Sequence, residues 1–138
     1  MIYALDTNSV IHHLRNEPNL RRNFKYAVNS GVEIIIPKVV DYEVKRGFTI
    51  HSAPAKERLY EGLVGESGFC DIVEMDSSSW QRAEKVYAEL YKKHLTVGEL
   101  DILIAAFCLE NSCVLVTDNT KDFMNIDGLT IINWLERT

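Results

Sequence analysis

Cysteine, histidine and glycine are all too sparse in this sequence to build the sites they usually build. The three cysteines, Cys70, Cys108 and Cys113, are an odd set without a C-x-x-C pair, which argues against a disulfide framework and against a zinc ribbon. The four histidines, His12, His13, His51 and His94, do not fall in an H-E-x-x-H spacing, and that removes the zincin class. Structural roles suit all seven residues. There is no Walker-type glycine loop, and no Ser-His-Asp or Cys-His set can be assembled. No apolar run approaches the ~18–20 residues of a membrane span. The start, MIYALDTNSV, lacks the basic residues and long apolar stretch of a leader, so a cytoplasmic location without membrane contact is expected. Positive charge is also short. A net charge of −5 excludes a protein that coats nucleic acid by bulk electrostatics. It does not exclude an acidic pocket whose bound cations attract phosphate locally.

What is present suits one domain over residues 1–138, with 46% hydrophobic and 25% charged residues. Ile2–Leu5 reads as a buried strand that runs into the N-cap-rich cluster Asp6-Thr7-Asn8-Ser9. VEIIIP (32–37) reads as a β-branched strand stopped by proline, and 38–48 as the helix that follows it. Residues 56–64 suit a further helix, and GLVGESG (62–68) is the loosest stretch, too central to be a domain boundary. CDIVEM (70–75) reads as a strand. After it comes an amphipathic helix whose apolar positions are Trp80, Ala83, Val86/Tyr87 and Leu90/Tyr91. LDILIAAFCL (100–109) is apolar all round except at Asp101 and predicts a buried helix; VLVT (114–117) and TIIN (130–133) are the last strands. Strands alternating with helices imply an α/β fold, a three-layer α/β/α sandwich around a mainly parallel sheet, whose ligands sit at the carboxyl edge. One tension accompanies this layout. A helix over about 77–93 should run from the carboxyl edge to the amino edge, leaving 94–98 to carry the chain back, and five residues reach at most about 17 Å.

The carboxylates converge on that carboxyl edge. Asp6 directly follows the first strand, and Glu43 lies in the second turn of the helix after the second strand. Asp118 follows VLVT, with Asp122 four residues on, and Asp101 opens the helix that feeds VLVT. Asp101 is the most informative, because its neighbours Ile102 to Ala106 offer a buried carboxylate no partner. Each acid has a plain structural alternative: an N-cap for Asp6, a helix-dipole or cap role for Asp101, a pair with Arg46 or Lys38 for Glu43, a turn for Asp118. Taken together they repel one another unless cations neutralise them. An all-oxygen set favours Mg²⁺ or Mn²⁺, and such ions suit phosphodiester hydrolysis.

The segments ALDTNSVIHHL (4–14), IPKVVDYEVKRG (36–47), VGELDILIAAFCL (97–109), LVTDNTKDF (115–123) and DGLTIINW (127–134) together resemble PIN-domain proteins, most closely the VapC branch of toxin ribonucleases. The likeness runs end to end and rests on the combination of DTN, D-x-L-I-A-A and V-T-x-N-T-x-x-F. It implies an α/β/α sandwich acting as a Mg²⁺- or Mn²⁺-dependent endoribonuclease, inhibited by a cognate antitoxin. Asp6, Glu43 and Asp101 fall on the family's acidic positions, and Thr7, Asn8 and Thr117 on polar positions that orient the site. The fourth acid departs from the pattern, since Asn119 stands where the family often has an acid. Either Asp118, by strand geometry, or Asp122, by motif alignment, is expected to complete the set.

Basic residues near the acids in sequence are Arg15, Lys38, Lys45 and Arg46; Lys38 and Arg46 flank Glu43 and are the preferred pair for RNA phosphates. The apolar content of the early helices (Val10, Ile11, Leu14, Phe24, Tyr26, Val28) exceeds what a thin sandwich covers, and suggests a homodimer or a partner chain. The alternative to an endoribonuclease is a non-catalytic PIN-like module that binds RNA or a partner without cutting.

Overall fold

The computed structural model describes residues 1–65 and 68–136; Glu66 and Ser67 of the GLVGESG stretch lie outside the described residues. The chain runs β1 (Ile2–Leu5), α1 (Thr7–Leu14), α2 (Pro18–Asn29), β2 (Glu33–Pro37), α3 (Lys38–Ile50) and α4 (Pro54–Val64). It continues with β3 (Cys70–Val73), α5 (Ser77–Lys92), α6 (Glu99–Glu110), β4 (Cys113–Val116), α7 (Thr120–Phe123) and β5 (Ile131–Ile132). The helix starts follow from capping chemistry. Asp6 accepts from Ser9 N at 2.8 Å, Glu17 accepts from Leu20 N at 2.7 Å ahead of Pro18, and Asp76 accepts from Ser79 N at 2.8 Å.

The five strands among the described residues are all parallel, in the order β3-β2-β1-β4-β5. The chain builds outward from β1 through β2 to β3, then returns to the other side of β1 for β4 and β5. Right-handed crossovers therefore place α1 to α4 on one face and α5 to α7 on the other. The reversal falls between β1 and β4, where Leu5 pairs with Val116, so the crevice of the sheet opens immediately beyond those two residues. The core is the sheet interior (Ala4, Leu5, Ile34 to Ile36, Leu115, Val116) packed against Ile102 and Ile104 to Cys108 of α6. All three cysteines are buried and unbonded. Among the described residues no helix is long and apolar enough to cross a membrane.

Three expectations are corrected. The buried face of α5 is Ser79, Ala83, Val86 and Leu90; Trp80, Tyr87 and Tyr91 are 51%, 49% and 72% exposed. The i, i+3, i+4 count admitted two neighbouring stripes, and the smaller side chains won the seat against α6 because helices packed this tightly leave no room for rings. The tension over α5 disappears because α5 runs the other way. Its start lies against the end of α6, with Asn111 Nδ2 donating to Ser79 Oγ at 3.4 Å and Arg82 Nε 2.9 Å from Glu110 Oε1. Asn111 stands at the amino edge, two residues before the pair Cys113–Ile2. The short link 74–76 therefore carries the chain back to the amino edge, α5 climbs, and the 93–98 turn starts α6 at the carboxyl edge. Finally, the 70–75 and 130–133 strands shrink to Cys70–Val73 and Ile131–Ile132, since pairing partners run out.

Candidate active site

The crevice beyond β1 and β4 holds the acids. Asp6 ends β1 and caps α1, so the N-cap role and the site role fall on one residue. Its amide donates to Val116 O at 3.1 Å, which seals β1 to β4 at the crevice floor. Ser9, buried, donates its hydroxyl to the same carbonyl at 2.8 Å. Burial raises the Asp6 carboxyl above its ordinary range; hydrogen bonds from Thr117 and Ser9 pull the other way, and Asp118 adds repulsion. Thr117 is itself buried and also accepts from Asn119 N at 2.9 Å.

Glu43 reaches the crevice from α3, where Thr7 Oγ1 donates to its Oε1 at 2.7 Å. Arg46 Nη2 stands 3.9 Å from Glu43 Oε2, a loose pair. Asp101 sits in the first turn of α6, whose N-cap is Gly98 and makes no side-chain cap bond. Its carboxyl is pushed up to about 6, first by burial and then by the charges of Glu43, Asp6 and Asp122. Asp101 therefore feels acids from three other segments at one place. Asp118 lies to the side, against Asp6, and is tied to His12 Nε2 at 3.1 Å. Asn119 Nδ2 donates to Asp122 Oδ2 at 3.3 Å, so the residue that departs from the acidic pattern positions the acid three residues on. Asn8 is exposed on the first turn of α1.

Among the described residues, no basic group pairs with Asp6, Asp101 or Asp122. No three such side chains stand close enough to hold an ion as they are. Without a basic partner, Asp101 carries the repulsion of its acidic neighbours unrelieved. The donor set, all oxygen, fits a hard divalent cation.

The basic candidates are divided. Lys38 Nζ is turned to Asp41 at 3.1 Å and Lys45 Nζ to the same carboxylate at 3.3 Å. Arg46 lies over the Tyr42 ring, 5.2 Å from its centroid. Arg15 caps the far end of α1, away from Asp6. Sequence reasoning passed over His12, Ser9 and Asp41. The 38–41–45 spacing could have shown that Asp41 captures both lysines; nothing local could have joined His12 to Asp118 across 106 residues.

The chain matches the PIN domain over residues 3–129. It is 28% identical to Ribonuclease VapC2 of Rickettsia felis over 97% of this chain and 98% of that protein. It is 27% identical to the tRNA(fMet)-specific endonuclease VapC of Shigella flexneri over 96% and 97%. Among solved structures it superposes on VapBC2 from Rickettsia felis, bound to a DNA fragment from its promoter, with a TM-score of 0.85 at 24% identity, covering 97% and 99% of the two chains. DNA-bound VapBC from Salmonella typhimurium gives 0.82 at 27% identity, covering 97% and 98%.

Proposed function

The chain belongs to the PIN-domain family, and on that premise we propose that it is an endoribonuclease, the toxin of a toxin–antitoxin pair, working as one nuclease unit over residues 1–138. The observation that carries the proposal is the group Asp6, Glu43, Asp101 and Asp122 at the switch point, where Asp101 feels the other three and, among the described residues, no basic side chain pairs with Asp6, Asp101 or Asp122. A metal-free structural role would leave that repulsion without a purpose. Relatives named as a ribonuclease and as a tRNA-specific endonuclease, matched over nearly their full length, support RNA as the substrate class. Likeness to VapBC complexes supports an antitoxin partner.

The acids would hold Mg²⁺ or Mn²⁺, which supply charge neutralisation at phosphate and a water of lowered pKa. The chain's own residues set the geometry. Thr7 fixes one oxygen of Glu43, the Ser9 amide and Thr117 fix Asp6, and Asn119 steadies Asp122. Asp122 is therefore preferred as the fourth acid, with Asp118 restrained by His12 beside it. Lys38 and Arg46 flank Glu43 on the outer side of α3 and would meet RNA phosphates there. The exposed rings of Tyr26, Trp80 and Tyr91 leave apolar surface for a homodimer or the antitoxin, which sedimentation of the free and co-expressed chain would separate.

Incubation with total RNA in Mg²⁺, Mn²⁺ or EDTA tests the proposal. Cleavage with either ion and none in EDTA is expected. RNA binding without cleavage in any condition would favour a non-catalytic module, consistent with Asn119 at an acidic position. Undiminished cutting in EDTA, or a 2′,3′-cyclic phosphate product, would overturn the metal-dependent mechanism.

A further inference from the structure

The outer side of α3 forms a cleft of about 420 Å³ lined by Lys38, Asp41, Tyr42, Lys45, Arg46 and Thr49. Its only acid, Asp41, is 1% exposed and already bonded by both lysines. The cleft thus presents net positive charge on a chain whose own net charge is −5. Tyr42 is 53% exposed, a large apolar ring left in water. Above it lies the Arg46 guanidinium, 5.2 Å from the ring centroid. The same guanidinium is 3.9 Å from Glu43 Oε2. A phenol–guanidinium pair therefore stands one side chain from the acids, with Lys38 and Lys45 gathered on Asp41 in the same cleft.

We propose, taking the endoribonuclease function as given, that Tyr42 and Arg46 form a stacking platform for one unpaired base of the RNA beside the cut phosphate, with Lys38 and Lys45 facing the phosphates that flank it. Bases stack on aromatic rings and on guanidinium planes, and a base can reach such a platform only where the strand is single or splayed. The platform tolerates any base, since every base has a π-face. It selects for unpaired RNA, while sequence is read elsewhere. Positive charge and contiguity with the acids favour RNA over a protein on this face, and the apolar surface of Tyr42 and Ile50 suits the flat face of a base. Tyr42 acts by positioning and does not touch the reacting atoms.

The test uses a 5′-fluorescein-labelled, twelve-nucleotide single-stranded RNA of mixed sequence and a set of the same strand with one abasic nucleotide moved along it. With Mn²⁺, the parent should cut the intact strand and lose about tenfold in kcat/KM when the abasic position falls on the platform, the worth of one stacked base. Tyr42→Ala should cut the intact strand about tenfold more slowly and lose that dip in the abasic profile; Tyr42→Phe should keep both. Arg46→Met should flatten the dip in part, and serves as the second variant if Tyr42→Ala melts unlike the parent. A parental abasic profile in Tyr42→Ala and Arg46→Met overturns the platform while leaving the endoribonuclease intact. A changed sedimentation coefficient with an unchanged profile also overturns it, and assigns the face to a protein contact. A parent that cuts none of the strands in Mg²⁺ or Mn²⁺ overturns the endoribonuclease function itself.

Discussion

Two aspartates, Asp41 on α3 and Asp101 on α6, have opposite surroundings. Asp41 is 1% exposed, yet Tyr60 donates to it at 2.8 Å and Lys38 and Lys45 stand at 3.1 and 3.3 Å. Burial alone would raise its carboxyl, but those three bonds outweigh it and hold the group below its ordinary range. Asp101 has burial on the same side of the balance and three more acids besides, and is pushed up to about 6. The first aspartate is neutralised by its own chain. The second meets no basic side chain among the described residues. Buried charge reads as structural where the protein supplies the counter-charge and as a site where it supplies more of the same sign.

The largest effect that would break this comparison is on cleavage. Asp101→Asn keeps the shape of the side chain and should lower RNA cleavage by more than about 100-fold, beyond the roughly 10–100-fold that losing an outer-shell partner costs. Parental rates in Asp101→Asn would make Asp101 a structural residue like Asp41. Next is the converse. Asp41→Asn leaves two lysines and a buried tyrosine hydroxyl facing a neutral amide, and should cost about 1–3 kcal/mol of stability in urea melts. The cost stays at the modest end because both lysines are about half in water, at 45% and 58% side-chain exposure. An unchanged midpoint would mean that the ion pairs around Asp41 contribute nothing.

The difference between the two acids was half legible in the sequence. Asp101 stood out because a carboxylate inside LDILIAAF has nowhere to hide. Asp6 and Glu43 followed from strand ends, which parallel topology sends to one edge. The course of α5 was not legible, because its periodicity fits two stripes and direction depends on the three-residue link 74–76, where no local rule decides. The choice between Asp118 and Asp122 was likewise open. It depends on His12 and Asn119, one of which comes from a distant helix. The pairing of Lys38 with Asp41, three residues away on its own helix, was legible in the spacing and went unread.

A smaller effect sharpens how the site acids are held. Thr7→Val removes the hydroxyl that donates to Glu43 Oε1 at 2.7 Å and leaves the packing volume nearly unchanged. Glu43 would then swing toward Arg46, at 3.9 Å in the present arrangement. Activity at limiting Mn²⁺ should fall about tenfold and recover at saturating Mn²⁺, because the loss is in metal affinity. A loss that saturating Mn²⁺ does not repair would mean that Thr7 acts on the substrate instead.

The smallest effect is on pH, and here the two aspartates must slope in opposite directions. For Asp101 the folded protein holds its proton more tightly than the unfolded chain, so its contribution is fully present below about pH 4 and disappears as pH rises through about 6. For Asp41 the folded carboxyl is the stronger acid, so its contribution is present above about pH 4 and disappears only as pH falls below that. Between pH 5 and 7 Asp41 is therefore silent and Asp101 is not. In EDTA the parent should lose stability over that interval relative to Asp101→Asn, by about 1 kcal/mol, the solvent-screened worth of two charges about 4 Å apart. Asp6, whose carboxyl is also raised, gives the same sense of slope in both proteins, so the difference between their Tm–pH curves reads Asp101 together with its coupling to the neighbouring acids. Mg²⁺ should remove that difference by neutralising the cluster in the parent. Parallel Tm–pH curves for the two proteins in EDTA would show that neither burial nor neighbouring charge shifts Asp101, and the contrast with Asp41 would fall.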